Sequence, residues 1–151
     1  MDLRIKEFTG LSSELLEKGN IVRLRAQGES MYPFIRDGDI LCISPSQAQD
    51  VRYADIVYCR NLEGKAIIHR VIKKKNKEGM FLVLTKGDSS SQSDGYIGSG
   101  NIFGKVIMIE KGNASIGIEN GLLRLINIIY ARFLPLSKWA YLFIAKIIKQ
   151  R

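Results

Sequence analysis

AIIHRVIKKKNKEGMFLVLTKGD, residues 66–88, reads as two strands joined by a turn. AIIHRVI and MFLVLTKG are apolar, β-branched runs of strand length. KKNKEG between them is the charged, glycine-ended punctuation of a hairpin, with the lysines of 73–77 expected at its solvated tip. The stretch also holds the chain's single histidine, His69. On a strand, His69 shares a face with Ile67 and Val71, while Ile68, Arg70 and Ile72 take the other. Taken alone, such an imidazole is well explained as a hydrogen-bonded core residue. It is also a side chain able to take and return a proton near neutral pH.

The same signals recur outward from the hairpin. IVRLRAQG (21–28) alternates, and DILCIS (39–44) is a short continuous apolar run; ADIVYCR (54–60) and GKVIMIEK (104–111) follow the pattern. RDGD, SPSQAQD, NLEG and the polar stretch GDSSSQSDGYIGSGN (87–101) separate them with turn chemistry. Six or so short strands so punctuated predict a mainly β body over roughly 20–111. One or two helical turns at 11–18 (LSSELLEK), stopped by Gly19-Asn20, precede it. At 151 residues the chain suffices for one such body with a real core. The predicted division is a β-rich domain at 1–119 and a basic, apolar helical tail at 120–151.

That tail, GLLRLINIIYARFLPLSKWAYLFIAKIIKQR, reads as two helices broken near Pro135. Its polar stripe is narrow: Arg124, Asn127 and Arg132 on the first helix, Lys138, Lys146 and Lys149 on the second. The net charge of the chain is +8, and from Gly121 onward there are six basic residues and no acidic one. Uncharged runs there reach only seven residues, a poor fit to a membrane-crossing helix. Basic, strongly apolar helices bearing Trp139 and Tyr141 fit an interfacial membrane segment. Packing onto the β body or self-association is the competing reading. A nucleic-acid partner is not expected, because the basic residues sit among apolar helix positions and no nucleic-acid motif is present.

The N-terminus has scattered charges and no apolar run, so neither a signal peptide nor an anchor is expected there. The expected location is cytoplasmic apart from membrane association through 121–151, with the side the catalytic domain faces left open. Cys42 and Cys59 lie in strand-like runs without metal-ligand spacing and read as small buried hydrophobes. No His, Cys or carboxylate spacing builds a metal site around His69, and no cofactor is expected.

Residues 28–39, GESMYPFIRDGD, raise the question of chemistry. Gly28 and Pro33 restrict the backbone on either side of Ser30 and Met31, so the segment reads as a shaped turn presenting a hydroxyl. A serine nucleophile needs a base and an acid to orient it. His69 is the base available. Asp88 and Asp94 in LTKGDSSSQSDG are the acids, though both are also ordinary turn-capping residues. Spacing does not choose between them.

SMYP followed by GDIL, then HRVI, then TKGD with a further aspartate six positions on, resembles the signal peptidase I superfamily. That superfamily also includes the autoproteolytic SOS repressors. The matched boxes run in the same order over roughly residues 26–110. The resemblance implies the β catalytic fold of that superfamily and a serine-type endopeptidase acting on a peptide or preprotein. In the superfamily the serine of an S-M-x-P box is the nucleophile, here Ser30. Most bacterial members use a lysine base, whereas the archaeal and endoplasmic-reticulum type uses a histidine in an H-R-V box, matched here by His69-Arg70-Val71. The histidine type places the later aspartate with the histidine, which makes Asp94 the third member and leaves Asp88 a supporting role with Gly28, Met31 and Pro33. The Ser30 N–H would supply one oxyanion donor. Where lysine-type enzymes often carry a second donor hydroxyl, this chain has Gly28.

Residues 1–20 read as neither the N-terminal membrane helix of a signal peptidase nor the DNA-binding helix-turn-helix of an SOS repressor, so a departure from both is expected. A non-catalytic peptide-binding member of the same fold is the alternative. The resemblance leaves substrate and oligomeric state open.

Overall fold

The predicted hairpin is the longest in the molecule. In the computed structural model, which describes residues 3–133, strand β4 runs Ala66–Lys77 and β5 Met80–Lys86. The lysine run belongs to β4 itself, and the tip is Glu78-Gly79, both at positive φ. Lys74 shows why the strand extends. Its Nζ donates to the carbonyls of Gln49 and Val51, and it lies over the Phe81 ring.

Six further strands complete one antiparallel sheet: β1 (Val22–Arg25), β2 (Ile40–Pro45), β3 (Ile56–Arg60), β6 (Tyr96–Gly98), β7 (Ile102–Lys111) and β8 (Ala114–Gly117). The order is β1-β2-β7-β3-β4-β5-β6, with β8 paired to β7. The fold is the mainly β one expected. The short strands β6 and β8 lie in stretches that read as loop. Helix α1 starts earlier than the pattern indicates, spanning Leu3–Glu17. It ends where Gly19, at φ 86°, closes the turn with its N–H on the Leu16 carbonyl.

Strand β3 explains why some runs are continuously apolar. Ile56 and Tyr58 enter a core shared with Leu16, Met31, Ile35, Leu41 and Val106. Val57 and Cys59 enter a second core with Val71, Val83 and Ile97. Covered on both faces, the strand has no polar side to alternate. Register pairs Val57 with His69 and Ile56 with Arg70, which puts these two β4 side chains on opposite faces at the centre of the sheet. A second helix, α2, occupies 121–133. The second predicted helix of the tail lies outside the described residues.

Candidate active site

Strand β5 leads from the hairpin into Gly87-Asp88, the chain loops out, and β6 returns beside β5 with Tyr96 opposite Leu84. That return places Asp94, whose N–H donates to the Thr85 carbonyl, next to the middle of β4. Asp94 Oδ2 lies 2.7 Å from His69 Nδ1 and accepts from Thr85 Oγ1 at 2.8 Å. A carboxylate only accepts, so the proton is on Nδ1 and the lone pair on Nε2. His69 is 8% exposed and Thr85 fully buried, so the imidazole is held from behind. Asp94 is therefore the acid at the imidazole.

Asp88 lies elsewhere. Its two oxygens accept from Arg70 Nε at 2.8 Å and Nη2 at 2.7 Å, with both side chains inaccessible to solvent. Burial pushes the Asp88 carboxyl above its ordinary range, while the Arg70 guanidinium pulls the other way. Arg70 also donates to the Ala54 carbonyl and to Asn127 Oδ1, and its guanidinium lies against the rings of both Phe34 and Tyr130. Asn127 Nδ2 donates to the Ala54 carbonyl, and Arg124 binds Asp55 and the Tyr53 carbonyl. Two of the three polar residues of the narrow α2 stripe thus turn inward, where Arg70 and the carbonyls of Ala54 and Tyr53 need partners. Arg132 stays exposed.

Ser30 sits in a turn tied at several points. Gly28, at φ 78°, donates its N–H to Asp37 Oδ1 at 2.8 Å, and Tyr32 and Ile35 N–H bond back to Glu29 and Met31. The Tyr32–Pro33 peptide is cis. Met31 is 4% exposed and anchors the turn in the core. The loop after β5 grips the same turn: Ser89 N–H donates to the Ser30 carbonyl at 2.9 Å and Ser89 Oγ to the Glu29 carbonyl at 2.8 Å. Between turn and histidine there is room only for a glycine. A Cβ on Gly87 would stand 2.7 Å from Ser30 O, 2.7 Å from Ser90 Oγ and 3.1 Å from His69 Nε2.

Ser30 and His69 open on one groove of about 460 Å³, whose walls include Leu24, Met31, Tyr58 and Ile68. Among the described residues, no hydrogen bond joins Ser30 Oγ to His69, and the Ser30 N–H has no protein acceptor. The same residues contain no cluster of His, Cys, Asp and Glu that would hold a metal. Cys42 and Cys59 are free and buried, and burial pushes the Cys59 thiol up to about 12. Sequence reasoning missed Thr85, Arg70, Ser89 and Asn127. Only Arg70 had a signal, as a charged residue in the middle of the apolar run AIIHRVI.

Residues 2–107 match the family described as Peptidase S24-like. The chain belongs to that family. The match covers α1 and the sheet through most of β7, including Ser30, His69, Asp88 and Asp94. Comparison with curated proteins finds no match.

Proposed function

We propose that this Peptidase S24-like chain is a serine endopeptidase of signal-peptidase type, working with a histidine base on a peptide or preprotein. The observation that carries the reading is the His69–Asp94 bond, which leaves Nε2 bare beside Gly87, against which the Ser30 turn is also packed. The His69-Arg70-Val71 box supports the histidine variety. Ser30 Oγ attacks a peptide carbonyl while His69 Nε2 takes its proton, and Asp94 stabilises the resulting imidazolium. His69 returns the proton to the leaving amine, and water admitted by the groove hydrolyses the acyl-enzyme. The Ser30 N–H is one oxyanion donor. The Gly28 N–H is occupied by Asp37 and is not a second.

A peptide library with small residues at the cleavage position, incubated with wild type, Ser30→Ala and His69→Ala, tests the proposal. Cleavage by wild type is expected to fall to background in Ser30→Ala and by about 10²–10⁴ in His69→Ala. Peptide binding by all three proteins with no cleavage by any would favour the non-catalytic alternative.

A further inference from the structure

Helix α2 is amphipathic in the reverse sense. Two of its polar residues, Arg124 and Asn127, are used up against Asp55, Arg70 and the Ala54 carbonyl, Ala131 is buried with them, and Arg132 is exposed. Its outer face is apolar: Leu122, Leu125, Ile126, Ile129 and Phe133 are 73%, 53%, 47%, 49% and 55% exposed. Spaced i, i+3, i+4, i+7 and i+11, these five form one stripe along the helix. Singly exposed leucines are ordinary, but a continuous stripe of large side chains on the far side of a docked helix needs a partner.

We infer that this stripe is a docking face for an anionic lipid surface, on which α2 lies flat with the catalytic body behind it. Charge chooses the occupant. Residues 121–151 carry six basic and no acidic residues. Arg124 is held by Asp55 and Arg132 is exposed on α2. A second copy would bring an equally basic segment to this one, whereas an anionic bilayer attracts that charge and takes the apolar stripe into its headgroup boundary. Among the described residues no helix is long and apolar enough to cross a membrane. The polar inner face gives the docking a consequence. Asn127 holds Arg70, Arg70 holds Asp88, and Phe34 of the Ser30 turn packs on Tyr130 at 5.6 Å between ring centroids. A bilayer bound at the stripe would thus fix the orientation of the Ser30 groove relative to the lipid. The inference stands on α2 and is independent of whether Ser30 is catalytic.

Co-sedimentation of the full chain with vesicles of equimolar phosphatidylglycerol and phosphatidylcholine tests it, beside vesicles of phosphatidylcholine alone. Wild type is expected to bind the anionic vesicles, to bind the neutral ones far less, and to be released by high salt. The double variant Leu125→Ser/Ile129→Ser should bind roughly tenfold or more weakly. Met80→Ser, at the exposed β4–β5 tip, should bind as wild type does. Should the first pair fail to fold, Leu122→Ser/Phe133→Ser tests the same stripe. Three results would overturn the inference. One is the absence of binding to anionic vesicles. Another is binding unchanged by folded stripe variants but lost in Lys146→Ser/Lys149→Ser. The third is a dimer in sedimentation velocity that the stripe substitutions dissolve while vesicle binding is nil.

Discussion

His69 and Arg70 are adjacent on β4, each is paired with an aspartate from the same loop, and the two pairs are built for different ends. His69 bonds Asp94 with one nitrogen and turns the other toward a groove, so one acceptor is left unfilled. Arg70 is inaccessible to solvent, meets both oxygens of Asp88, and has Ala54 and Asn127 for further partners. A fully satisfied buried ion pair is a structural device whose loss is costly. A half-satisfied imidazole at a groove keeps a ring nitrogen open to a bound molecule. Strand alternation puts them on opposite faces, and the Gly87–Asp94 loop supplies both acids, so each pair also positions the other.

Breaking the Arg70 side should have the largest effect on stability. Arg70→Met leaves Asp88 buried without its cation and is expected to cost about 3–5 kcal/mol in urea unfolding. Gly87→Ala tests the narrow seam between the two pairs. A methyl 2.7 Å from the Ser30 carbonyl must displace the turn or the loop. The expected result is about 1–3 kcal/mol of destabilisation together with roughly a 10²-fold loss of peptide cleavage. Asn127→Ala removes one acceptor from Arg70 and one donor from the Ala54 carbonyl, both buried. It should cost about 1–3 kcal/mol, at the lower end if water enters, and its stability loss should not add to that of Arg70→Met. The smallest effect is expected at Cys59, buried in the second core. With its thiol pushed up to about 12, it should resist alkylation by iodoacetamide at neutral pH until the protein is unfolded.

Much of this arrangement was legible from local pattern. Alternation and turn residues marked six of the eight strands, and the glycine and proline around Ser30 marked its turn. The choice between Asp88 and Asp94 was not a matter of spacing, because it depends on β6 pairing back onto β5, and three residues inside a polar stretch carry too little periodicity to announce a strand. The partners of Arg70 and Asn127 were illegible for another reason. Reading a helix or strand by polarity assumes that charge faces water, and here buried polar groups satisfy one another across elements far apart in sequence. The polar stripe of α2 was visible; which way it faced was not. The role of Thr85 depends on Asp94 and was hidden with it.

Asp94 holds His69 with its proton on Nδ1 and its lone pair open beside Ser30. Since the chain has one histidine, nitrogen and proton NMR of the imidazole reads that directly, without a substrate. A single, strongly downfield Nδ1-bound proton is expected at neutral pH, retained in Ser30→Ala and lost or moved upfield in Asp94→Asn. A proton on Nε2 with Nδ1 bare, or a signal indifferent to Asp94→Asn, would contradict it.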